Sequence, residues 1–165
     1  FRLVLFRSIT KTVTGRRQLR FDSFDDLLAE AERLRVGEVK MLGNWSLAQI
    51  FEHLAAGLNS TIDGSSFKPP LFLRLFIAPF MKKKFIYQGL PPGFSIPKDA
   101  EAQFRPQEDV DVAAGLAALR AAIERVGATD ERAKHPLFGS LTRAESDSFQ
   151  LRHAELHLSF AIPVD

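Results

Sequence analysis

Two histidines, His153 and His157, stand four residues apart in Phe149–Phe160, read FQLRHAELHLSF. On a helix that spacing stacks both rings on one face. At about 100° per residue, Phe149, Leu156 and Phe160 point within roughly 60° of His153, so the imidazoles belong to a core-facing stripe. A buried polar ring needs a partner, and neutral imidazoles turned inward side by side can share a metal ion. A third histidine, His53, lies on the flank of the apolar face of an earlier predicted helix, next to Ile50. Three imidazoles form a facial set suited to Zn, Ni, Fe or Mn, with positions left open for water or substrate. A metal held there lowers the pKa of a bound water or thiol and polarises a substrate. Taken alone, the H-x-x-x-H spacing does not single out a metal, since surface and hydrogen-bonded histidines share it.

The neighbouring carboxylates are placed elsewhere. Glu155 points about 200° away from His153, and Glu52 about 100° away from His53, so neither is read as a ligand. The order also differs from H-E-x-x-H, in which Glu follows the first His directly. The fourth histidine, His135, precedes Pro136 in a predicted loop, where hydrogen bonding to the loop is the simpler role. No Ser-His-Asp order, phosphate loop or Rossmann glycine pattern is present.

Four amphipathic segments must carry these residues. The first spans about Ser23–Leu34, with Asp22 or Ser23 as cap and Phe24, Leu27, Leu28, Ala31 and Leu34 as its stripe. The second, about Leu47–Ile62, starts at the N-cap Ser46 and buries Leu47, Ile50, Phe51, Leu54 and Leu58. The third, about Glu108–Val126, repeats Val112, Leu116, Leu119, Ile123 and Val126 at the spacing of a bundle seam. The fourth, about Arg143–Ala161, opens on the capping box Thr142/Glu145. Between the second and third lies a long interruption, Ser65–Gln107. Its apolar part, Leu71–Tyr87, reads as one extra helix kinked at Pro79, too short and too charged to span a bilayer. Gly89–Ala100 is punctuated by Pro and Gly and reads as a loop, a lid or a tether. Strand-like alternation is confined to Arg17–Phe21. The pattern predicts an all-α fold, a four-helix bundle with one long crossover, whose site is built from inward side chains on facing helices.

Composition sets the outer bounds. The chain has 165 residues and no cysteine, so one domain, 1–165, is expected, and any metal must be held by His, Asp or Glu. A net charge of +2 gives no case for nucleic acid. Fifteen phenylalanines against one Trp and one Tyr suggest a Phe-rich core. Phe1–Phe21 reads as a short basic arm. Phe1–Phe6 is too short for a signal-peptide core, and no apolar run follows Arg16-Arg17 as a twin-arginine signal requires, which leaves the cytoplasm as the default location.

Several motifs together resemble a known superfamily. Trp45-Ser46 followed by Phe51-Glu52-His53-Leu54, then His135-Pro136-x-Phe138-Gly139 with Leu141-Thr142, then the paired histidines, resemble the DinB-like (YfiT-type) superfamily over about residues 17–163. The ending LRHAELHLSF and the segment GLPPGF resemble a bacterial branch known only as a domain of unknown function. The resemblance implies an up-down-down-up four-helix bundle, a divalent metal on His53, His153 and His157, and frequent homodimers. Its characterised relatives include thiol S-transferases using bacillithiol or mycothiol, maleylpyruvate isomerase and hydrolase-like members. Two readings of function follow. One is an enzyme whose metal activates a low-molecular-weight thiol or water for attack on a small-molecule substrate, with Arg152, Lys134 or Arg143 as candidates to hold an anionic group. The other is a non-catalytic helical module with structural histidines, docking a partner or a membrane surface through residues 71–87.

Overall fold

The computed structural model describes residues 9–164. The first eight residues of the predicted arm, with Phe1–Phe6, lie outside the described residues. The chain is mostly helical with one small antiparallel sheet. In order, the elements are α1 (Phe24–Val36), β1 (Val39–Met41), α2 (Leu47–Asp63), α3 (Ala78–Lys83), α4 (Glu101–Phe104), α5 (Val112–Gly127), α6 (Arg143–Leu158) and β2 (Ala161–Pro163).

Three helices begin where a side chain closes the first turn. Ser23 with Asp26, Ser46 with Gln49 and Thr142 with Glu145 each form a reciprocal capping box. Helix α5 starts at Val112, four residues later than its periodicity suggests. Asp111 accepts from the backbone N–H groups of Ala113 and Ala114 and so fixes the start. Helix α6 turns to the interior a face other than its predicted stripe, of which Phe149 and Leu156 are half-buried and Phe160 is buried, while the stripes predicted for α1, α2 and α5 converge on one core. It takes Leu27, Ala31 and Leu34 from α1, Ile50, Phe51, Leu54 and Leu58 from α2, Leu116, Leu119 and Val126 from α5, and Leu151, Ala154 and Leu158 from α6. This core is Leu- and Ala-rich, not Phe-rich. Among the described residues only Phe21 and Phe51 of the phenylalanines join its buried cluster, while Phe72, Phe76, Phe80 and Phe94 are exposed. Helices α2 and α5 approach closely because position 115 is glycine; a Cβ there would lie 2.6 Å from the Ala48 carbonyl oxygen.

The fourth helix stops at Leu158, short of Ala161, because the next residues turn into β2. That strand pairs antiparallel with β1, Val39 opposite Pro163 and Met41 opposite Ala161. Strands of three residues are too short to show alternation, so the sequence pattern missed them. Arg17–Phe21, the predicted strand candidate, forms no strand and belongs to no sheet. It is held instead by α6. Arg17 N donates to Ser159 O at 3.0 Å, and Phe21 N donates to the Glu155 carboxylate at 2.6 Å. Arg152 completes this contact, donating to both Glu155 oxygens and to Phe21 O.

The interruption between α2 and α5 contains more helix than predicted. Residues 71–88 form one continuous helical run in which wide π-turns, Leu73–Ile77 and Lys84–Gln88, flank α3. The first wide turn leads into Pro79, which has no N–H to donate and crowds the preceding turn. No helix among the described residues is long and apolar enough to cross a membrane. The return limb supplies α4, which settles against α2, Gln103 donating to Gly64 O at 2.8 Å.

Candidate metal centre

Helix α2 presents His53, and α6 presents His153 and His157, with all three Nε2 atoms turned toward one point. His153 Nε2 lies 3.2 Å from His53 Nε2 and 3.0 Å from His157 Nε2. One nitrogen from each ring falls within 4.8 Å of the others. His53 is 5% exposed. His153 and His157 are half-buried as whole residues. The α2–α6 approach depends on Gly57, where a Cβ would sit 3.2 Å from Gln150 Oε1 and 3.4 Å from His153 Nδ1. Trp45, just before α2, covers one side, its ring 4.7 Å from His53 and 5.6 Å from His157.

The protonation pattern follows from the hydrogen bonds. His53 Nδ1 donates to the Phe104 carbonyl at 2.7 Å, so its proton sits on Nδ1 and its Nε2 lone pair faces the cluster. Burial disfavours the charged imidazolium. It lowers the pKa of His53 against the opposite pull of the Phe104 carbonyl, and it holds His157 well below the ordinary value. For His153, burial and then the nearby His53 and His135 push the pKa down to about 3. Neutral rings are the form that binds a metal. Left to themselves, three neutral rings cannot all be satisfied. His153 Nδ1 is buried with no hydrogen-bond partner, so a proton on either of its nitrogens leaves a buried polar atom unpaired. A shared cation resolves the facing lone pairs, and nitrogens about 3 Å apart can meet one ion at about 2.1 Å. The donor set therefore fits a divalent metal.

Carboxylates stay out of the cluster, as their helical phase predicts. Glu155 is paired with Arg152 on another face of α6, and Glu52 accepts from Gln107 N at 2.6 Å. A cavity of about 170 Å³ reaches the cluster at His153 and is also lined by Gly57, His135, Ser146, Phe149 and Gln150. His135 holds its own loop, Nδ1 accepting from the N–H groups of Leu137 and Phe138 at 3.2 and 3.1 Å. Burial lowers its pKa to about 4. None of the three candidate anion-binding side chains lines the cavity. Arg152 is committed to Glu155 and Phe21, Arg143 pairs with Asp130 and Asp147, and Lys134 is exposed.

Sequence reasoning found the three histidines and missed what surrounds them. Phe104 acts through its backbone carbonyl, which leaves no mark on residue type. Gly57 did leave one, since a glycine inside a helix signals close approach.

A family profile described as "Protein of unknown function (DUF1569)" matches residues 13–164. No curated protein matches the chain, and no solved structure does.

Proposed function

Because the chain belongs to the DUF1569 family, whose description names no chemistry, we propose a function from the site itself: a divalent-metal-dependent enzyme acting on a small molecule. His53, His153 and His157 hold the metal. The observation that carries this reading is the convergence of three Nε2 atoms with the His53 proton kept on Nδ1 by Phe104. A metal bound there supplies Lewis acidity, which deprotonates a low-molecular-weight thiol or a water into a nucleophile. We read the arrangement of α1, α2, α5 and α6 as the up-down-down-up bundle of the DinB-like superfamily, with the 65–107 insertion as its crossover.

The chain's own residues then bind and orient. The cavity wall beside His153 offers Gln150, Ser146 and His135 as polar contacts and Phe149 as an apolar one. Histidine is its only titratable lining residue, and burial keeps His135 and His153 neutral. The cavity therefore suits a small uncharged electrophile and gives no fixed charge to an anionic one. Trp45 shields the opposite side from water. The Phe104 carbonyl holds the His53 proton away from the cluster. Thiol transfer is the first reaction to assay, and hydrolysis the second.

The test is metal content by mass spectrometry on untagged protein, beside His53→Ala and His153→Ala. Near-stoichiometric metal in the parent, lost in both variants, is expected. A metal-free parent that takes up no added Zn, Ni or Mn overturns the reading and leaves the histidines as packing residues.

A further inference from the structure

The helical run 71–88 has two unlike halves. Its C-terminal half is anchored. Phe85 and Ile86 are buried, Ser148 Oγ donates to Ile86 O at 2.6 Å, and Lys82 pairs with Glu145 at 3.1 Å. Its N-terminal half is bare. Phe72 is 63% exposed, Phe76 59% and Phe80 85%, and Leu71, Leu73, Leu75 and Ile77 are exposed with them. Only Ala78 is buried before the anchored half begins. An exposed apolar surface of this kind, interrupted only by Arg74, marks an interaction site.

The charges around it are segregated. Six of the chain's 22 basic residues and none of its 20 acidic ones fall between Gly64 and Lys98. The remainder of the chain is therefore net acidic although the whole is net +2. Phe72, Phe76, Phe80 and Lys84 follow one another at i, i+4, and the rings of Phe72 and Phe76 are 5.3 Å apart. Lys83 and Lys84 are both exposed. Exposed aromatic rings and exposed lysines thus succeed one another along the same run. Phe and Leu beside Lys and Arg form the composition of a helix that seats in the boundary between acyl chains and anionic headgroups. Docking against the same segment of a second copy would instead bring two sets of positive charge together with no acidic residue between them.

From this we infer that residues 71–84 are a docking element for an anionic phospholipid surface. Phe72, Phe76 and Phe80 enter the acyl boundary, while Lys83 and Lys84 meet headgroup phosphates. The element binds the surface without crossing it.

Flotation with vesicles of phosphatidylcholine and phosphatidylglycerol, against vesicles of phosphatidylcholine alone, tests this on the whole chain. The parent is expected to float with the anionic vesicles, to stay behind with the neutral ones, and to be released by salt. Lys83→Glu with Lys84→Glu is expected to weaken binding at least about tenfold. Phe72→Ser, Phe76→Ser and Phe80→Ser together are expected to abolish it. These side chains are exposed, so unchanged circular dichroism separates lost docking from lost folding. A parent that stays behind with anionic vesicles at low salt overturns the inference. So does a dimer that the triple Phe variant turns into a monomer while vesicle binding is nil, since a second copy then covers the surface.

Discussion

Helix α6 carries two polar clusters on different faces, and they are resolved in opposite ways. On one, Arg152 and Glu155 are buried as a pair, and the backbone N–H and C=O of Phe21 meet them. On the other, three imidazoles converge and one nitrogen, on His153, has no partner. Both faces face the same desolvation problem. The first is closed by residues of this chain and works as structure, tying the segment before α1 to the last helix. The second brings three imidazole nitrogens face to face with no charged residue among them, and it is on this arrangement that the proposed metal reading rests.

The contrast is sharpest where breaking each cluster has a different cost. Glu155→Ala leaves the Arg152 guanidinium buried without its carboxylate and Phe21 N without an acceptor. A loss of about 3–5 kcal/mol is expected in urea unfolding, with metal content per folded molecule unchanged. A loss under about 1 kcal/mol would show that the pair does not fasten the N-terminal segment.

Acid should act on the histidine face. The folded-state pKa values of His135 and His153 lie at about 4 and about 3, below the ordinary 6.5. In the window between, the unfolded chain binds more protons than the folded one. Stability of the metal-free protein is therefore full above about pH 6.5 and falls as the pH drops toward 4. The slope approaches about 1.4 kcal/mol per pH unit for each histidine. Denaturation midpoints at pH 7, 6 and 5 check this, and His153→Gln should flatten the profile. A parent profile already flat in that range would mean that the rings are protonated in the folded state.

The smallest effect separates folding from ligation. Gly57→Ala adds helix propensity worth up to about 1 kcal/mol. It also presses a methyl group against Gln150 and His153. Global stability is expected to change little while metal affinity falls about tenfold, measured by chelator competition. Equal affinities would show that this close approach does not set the ring of His153.

The sequence exposed whatever repeats and concealed whatever acts once. Leu27, Leu54 and Leu119 were legible as core because each sits in a stripe of helical period, whereas Leu158 lies off the stripe read for its helix. His53 was legible because it flanks the stripe of α2, and His153 and His157 because their spacing stacks them on one face of α6, though that face is not the one that carries Leu151, Ala154 and Leu158 into the core. The phase of Glu155 likewise placed it away from the histidines, though not in its pair with Arg152. Helix α4 and strands β1 and β2 were hidden, being three or four residues long, less than two periods of any pattern. The Phe count misled about the core. Composition cannot say which side of a helix is covered, and Phe72, Phe76 and Phe80 lie on the side that is not.

Two of the three histidines arrive late. His53 and His153 are separated by 100 residues of chain, and His157 comes after both. During synthesis, a growing chain carries His53 alone through the making of α3, α4 and α5. The ring cluster closes only when nearly the whole domain has emerged, at the loop-closure cost that long-range contacts impose on folding. On the proposed reading, metal loading is then a step for a chain that has formed α6, since a fragment ending before α6 offers an ion one imidazole of the cluster and no facial set.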